Sequence, residues 1–142
     1  MKEIKDYVHT VQYYETDKMG VTHHSNYIRW MEEARVDFLA QIGWDYAKLE
    51  AMGLGAPVVS VTCDYKRPTT FADVITVRAV IREIKGVSLR YSYEMKNQEG
   101  TVVCVGTSTH AFVDSEGRLV RLKRDYPELA EALYDCLEEE QK

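Results

Sequence analysis

Between Ile75 and Met95 the chain alternates apolar and polar residues twice in succession. Ile75, Val77, Ala79 and Ile81 interleave with Thr76, Arg78, Val80 and Arg82; after Lys85-Gly86, Leu89, Tyr91, Tyr93 and Met95 interleave with Ser88, Arg90, Ser92 and Glu94. A period of two with one apolar face predicts half-buried β-strands, and the glycine-containing turn sets them antiparallel. Such a ribbon must lay its apolar face on another element.

The segment long enough to supply that cover runs from Tyr27. Tyr27, Met31, Ala34, Phe38 and Ile42 recur at helical spacing, Ile28, Trp30 and Leu39 widen the stripe, and Arg29, Glu32, Glu33 and Asp37 gather opposite. Ser25 or Asn26 is the expected N-cap, Gly43 the stop, and Arg29 with Glu33 an exposed pair. Asp45 caps a short second helix through Met52, ended by Gly53, before a Gly55-Ala56-Pro57 turn. Lys5–Tyr13 reads as a first strand, Val58–Tyr65 as another closed by Arg67-Pro68, and Thr101–Asp114 as a further one. Pro127 opens a terminal helix with an Asp125/Glu128 capping box, and Glu138-Glu139-Glu140 forms its solvated end. The expected order is strand, long helix, short helix, a four-strand antiparallel meander and a last helix, an α+β domain whose sheet wraps the long helix.

The 142 residues suit one domain spanning 1–142, without repeats or linkers. No apolar run reaches the ~20 residues of a membrane span, and Met1–Asp6 lacks the apolar region of a signal peptide. Cys63, Cys104 and Cys136 form neither a disulfide framework nor zinc-ligand spacing, which points to a reducing, cytoplasmic setting. A net charge of -5 argues against nucleic acid as a partner and leaves any anionic ligand to a local cationic cluster.

The stretch ahead of the helix carries the chemistry. It reads Y-Y-E-T-D-K-M-G-V-T-H-H-S-N from Tyr13 to Asn26, bringing Asp17 and His23-His24 to a helix start whose first backbone N–H groups lack intrahelical partners. A carboxylate beside a donor-rich helix end suits acyl transfer, although Asp and Gly before a helix more often simply make a turn. A metal site built from His23, His24 and Asp17 would need further ligands that the spacing does not supply.

Continued through Y-I-R-W-M-E-E-A-R, this stretch resembles the signature of hotdog-fold acyl-CoA thioesterases of the 4-hydroxybenzoyl-CoA thioesterase and YbgC type. The resemblance extends through Gly43, Gly53, the Val58–Tyr65 strand, Tyr65-x-x-Pro68 and Asp73. It implies a hotdog fold, an antiparallel sheet of about five strands wrapped around one long helix. It also implies homodimers joined edge to edge, often paired into tetramers, and hydrolysis of an acyl-CoA thioester without metal or cofactor.

By the same resemblance Asp17 takes the place of the catalytic aspartate, as nucleophile or as general base, and His24 that of the histidine seven residues on. The His24 backbone N–H falls where the thioester carbonyl is polarised, Gly20 matches the loop glycine, and Tyr14 an aromatic residue bordering the acyl group. Lys18 departs from the uncharged residue usual there. Other branches place their carboxylate on the helix, but here the Asp17 loop is the better match, and Glu32 and Glu33 belong to the charged stripe as surface or dimer contacts. The phosphates of CoA call for cations, for which Lys66, Arg67, Lys85 and Arg90 are the candidates. An acyl-carrier protein could present the acyl group instead of CoA. A noncatalytic acyl-CoA-binding module and a hotdog hydratase or dehydratase are the alternative functions.

Overall fold

A computed structural model describes residues 3–140. Five strands, β1 (Tyr7–Thr10), β2 (Val58–Tyr65), β3 (Val74–Lys85), β4 (Ser88–Lys96) and β5 (Val102–Ala111), form one antiparallel sheet in the order β1-β3-β4-β5-β2. Helix α1 (Ser25–Gln41) lies in its concave face, α2 (Tyr46–Ala51) follows it, and α3 (Leu122–Asp125) and α4 (Pro127–Tyr134) close the far end.

The alternation sets the core. Ile75, Val77 and Ile81 of β3 and Tyr91 and Met95 of β4 are buried against Trp30, Met31 and Phe38 of α1, with Phe38 edge-on to Tyr91 at 5.6 Å between centroids. Register follows from the same pattern: Val77 faces Met95, Ala79 faces Tyr93 and Ile81 faces Tyr91, so one apolar face runs across both strands. The 17 residues of α1 give about 25 Å of helix, enough to span the sheet. Strand β5 packs tightly against α1 and β2 at Gly106, where an added Cβ would overlap the Thr62 carbonyl oxygen and Met31 Cε. Only a residue without a side chain fits there.

Several expectations are corrected. Strands β3, β4 and β5 do form a meander, but β2 pairs with β5 at one edge instead of leading it, because the Lys66–Asp73 connection carries the chain across the sheet. Strand β1 stops at Thr10, and Tyr13–Glu15 winds into a 3₁₀ turn that swings Glu15 inward. Helix α1 begins at Ser25 itself, so neither Ser25 nor Asn26 caps it. His24 occupies the cap position without a side-chain bond, and the Ser25 N–H is taken by His23 Nδ1 at 3.2 Å. Asn26 instead donates to the Glu15 and His23 carbonyls.

Glu33 accepts from Tyr7 and lies against His9 in place of the expected Arg29. Asp45 caps α2 as expected, accepting from the Lys48 N–H at 2.9 Å. At α4 there is no capping box: Tyr126 holds the cap position, Asp125 belongs to α3, and its carboxylate pairs with Arg124. Glu138 and Glu140 lie beyond α4 and pair with Arg78 and Arg90 on the sheet.

Candidate active site

The site lies where the loop before α1 meets the end of β2. An isolated bridge between Thr16 and Thr22 closes the loop, and the Asp17 N–H donates to the Val21 carbonyl at 2.9 Å. The turn between them needs a left-handed residue, which Gly20 supplies at φ +79°. Asp17 Oδ1 accepts from the Met19 N–H at 2.8 Å, while no hydrogen bond among the described residues uses Oδ2.

The loop is anchored from behind. Val21 bridges Thr70 and the Thr22 N–H donates to the Thr69 carbonyl. The fully buried Thr69 hydroxyl donates to Thr22 Oγ1 at 2.6 Å and meets the Tyr27 hydroxyl at 3.0 Å. Beneath it, Glu15 is 4% exposed and accepts from the Gln12 N–H and the Trp30 indole N–H, each at 2.8 Å, with His9 Nε2 at the same distance. Burial alone would raise the Glu15 carboxyl; these bonds from Gln12, His9 and Trp30 outweigh it and hold the group below the usual carboxylate range. The Glu15 carbonyl also takes the His23 N–H at 2.8 Å, so this buried acid sets the backbone entering α1.

At the mouth of α1 the Asn26 N–H donates to the His23 carbonyl and the Tyr27 N–H to that of His24. None of the hydrogen bonds among the described residues uses the His24 backbone N–H. The Tyr65 hydroxyl donates to the His24 carbonyl, and the His23 and His24 rings stack at 4.2 Å. Asp17, Val21, His24, Tyr27, Tyr65, Lys66, Arg67 and Pro68 line one open cleft of about 420 Å³.

The structure thus brings Asp17, His24, Lys66 and Arg67 together, with Gly20 in the loop. Lys66 and Arg67 are held by backbone bonds to the Val103 carbonyl, and no ion pair among the described residues uses them. Lys85 lies at the β3–β4 turn and Arg90 is tied to Glu140 and Glu83, so neither reaches the cleft. Tyr14 is 82% exposed and outside the cleft of a single chain. Nothing local in the sequence marks Glu15, Tyr27, Tyr65 and Thr69 as parts of the site. The Tyr65-x-x-Pro68 turn is the one signal near them.

Residues 11–134 match the family described as the thioesterase-like superfamily. The BH1999 gentisyl-coenzyme A thioesterase is 31% identical and superposes with a TM-score of 0.78, covering 82% of this chain and 94% of that one. The DHNA-CoA thioesterase of Staphylococcus aureus is 29% identical with a TM-score of 0.88, covering 92% and 89%. The acyl-CoA thioester hydrolase YbgC of Escherichia coli O157:H7 is 28% identical over 93 residues, 66% of this chain and 69% of that protein. The chain belongs to the thioesterase-like superfamily, as a hotdog-fold thioester hydrolase. No helix among the described residues is long and apolar enough to cross a membrane.

Proposed function

We propose that this chain hydrolyses acyl-CoA thioesters in the Asp17 cleft. The observation that carries the reading is that Asp17 and His24 line one cleft, while no hydrogen bond among the described residues uses Asp17 Oδ2 or the His24 backbone N–H at the start of the long helix. The thioester carbonyl carbon gains an oxygen by one of two routes. Asp17 adds directly, giving a mixed anhydride that water then opens, or Asp17 takes a proton from a water that adds. Either way the C–S bond breaks, its electron pair leaves on sulfur, and the thiolate recovers a proton to become the CoA thiol beside a free carboxylic acid.

The His24 N–H and the positive end of α1 hold the oxyanion that develops. The bond from Tyr65 to the His24 carbonyl fixes the peptide next to that donor. The His24 ring borders the reacting group, and Lys66 and Arg67 meet the phosphates. Asp17 is exposed in a single chain, and electrostatic stabilisation is weak in water, so the working site is covered by a second copy that also carries Tyr14 toward the acyl group.

The test is release of free thiol from a panel of aliphatic and aromatic acyl-CoA substrates by the wild type and by Asp17→Asn. The amide keeps the shape and removes the nucleophile or base, so turnover falls at least about 100-fold with an unchanged melting temperature. Near wild-type turnover in the variant removes Asp17 from the mechanism. Tight acyl-CoA binding without thiol release by the wild type makes the chain a binding module.

A further inference from the structure

A second polar cluster lies at the other end of α1, among the described residues around Arg35. Arg35 is 7% exposed, no ion pair among the described residues gives its guanidinium a carboxylate, and among those residues its Nε is the one buried side-chain nitrogen or oxygen without a hydrogen-bond partner. Its Nη1 donates to the Tyr93 hydroxyl at 3.1 Å, and the guanidinium also hydrogen-bonds the neutral Tyr46 hydroxyl. The Ala56 carbonyl can only accept, and burial lowers the His110 pKa, so the neutral ring donates from Nδ1 and accepts at Nε2, which orders the protons back toward Arg35. Tyr93 donates to Ser108 Oγ at 2.6 Å, Ser108 to His110 Nε2 at 2.8 Å, and His110 Nδ1 to the Ala56 carbonyl at 2.9 Å. The chain of bonds is neutral throughout and leaves the charge uncompensated.

Arg35 and His110 line a cavity of about 40 Å³ whose other walls include Leu39, Leu89, Phe112 and Leu133, with the exposed Tyr46 and Ala56 at its rim. A buried cation without a counter-charge costs several kcal/mol. The volume exceeds the ~10–15 Å³ that one water centre needs. A water there would satisfy Nε–H and leave the charge as it is, whereas an anion answers both. The apolar walls and small volume exclude a bulky or multiply charged one.

We infer that the Arg35 cavity is a binding site for a compact monovalent anion of halide size, held by Arg35 Nε–H and separate from the Asp17 cleft. The anion completes the buried end of α1 and does not enter hydrolysis, so the site stands whether or not the chain cleaves acyl-CoA.

Bromide is the probe, on the full-length protein. Crystals of the wild type soaked in bromide are expected to show an anomalous peak in the cavity within hydrogen-bonding reach of Arg35 Nε. In solution, replacing gluconate by bromide at constant ionic strength should raise the melting temperature saturably, by about 5 °C at ten times the dissociation constant. Arg35→Met should abolish that rise; if it does not fold, Arg35→Lys, which keeps the charge and lacks Nε, should weaken it. The inference is overturned by a water or empty density at Arg35 Nε in the soaked crystals, by bromide at surface positions alone, or by a melting temperature that does not respond to bromide.

Discussion

The Tyr65 hydroxyl donates to the His24 carbonyl at 3.2 Å, fastening the last residue of β2 to the residue that precedes α1. The two are 41 positions apart. That bond joins the edge strand to the helix start, so the exposed edge of the sheet and the candidate site are parts of one structure.

Glu15 is expected to hold this region together without taking part in the chemistry. Glu15→Gln retains the shape but turns an amide N–H₂ toward donors that the carboxylate now accepts from. A buried donor left unsatisfied costs about 1–3 kcal/mol, and the charge-assisted bonds are lost besides, which should lower the melting temperature by roughly 10 °C. The carboxyl is depressed in the folded state, so its contribution is full above the unfolded value of 4.5 and is lost as pH falls through the folded value. The gap between wild type and variant should therefore be constant from pH 7 to 5 and close below 4.5. Thermal melts across that range check it, and a variant that melts with the wild type at pH 7 removes Glu15 from this role.

Lys66 and Arg67 are expected to act on the CoA half of the substrate. Both side chains are exposed, so each contact with a phosphate is worth about 0.2–1 kcal/mol, and a Lys66→Ala/Arg67→Ala double variant should raise KM about 3- to 10-fold. Phosphate contacts are the same in ground and transition states, so kcat should change little. The wild-type KM should rise with salt and converge on that of the double variant. Arg90→Ala is the matched control, since Arg90 is held by Glu140 away from the cleft. A double variant with wild-type KM at low salt separates these cations from CoA binding.

What the sequence made legible is what depends on near neighbours. The β3 and β4 faces follow from a period of two that any window of the chain displays, and Asp17, Gly20 and His24 fall within eight residues. Sheet order was not legible, because the partner of β2 is set by a crossover that places Cys63 opposite Gly106. Nothing local marks Gly106 as the point where β2 and Met31 converge. Glu15 read as one more polar loop residue because its partner Trp30 lies 15 positions on, and Thr69 because it answers to Thr22, 47 positions back. Arg35 reads as a charge at the edge of the helical stripe, and only the packing of β4, β5 and α2 around it makes it buried.

The last prediction concerns the β2 edge. β2 is the end strand of the sheet, no strand among the described residues pairs with its far side, and Val58, Val59 and Val61 are 48%, 65% and 37% exposed. An eight-residue edge strand with exposed valines at its start invites pairing with another strand. A second copy related by a two-fold axis can answer with the same strand, antiparallel to itself, removing both edges and extending the sheet across the pair. It would also bring the partner over the cleft that Tyr65 and Lys66 border, excluding water from Asp17. The wild type should therefore be at least a dimer by light scattering at micromolar concentration, and kcat should fall on dilution as monomer appears. Val59→Lys/Val61→Lys places two like charges against their own copies across the axis, and should yield a folded monomer with activity reduced at least about 10-fold. A wild type that is monomeric and fully active, or a double variant that stays dimeric, would show that the β2 edge does not build the site.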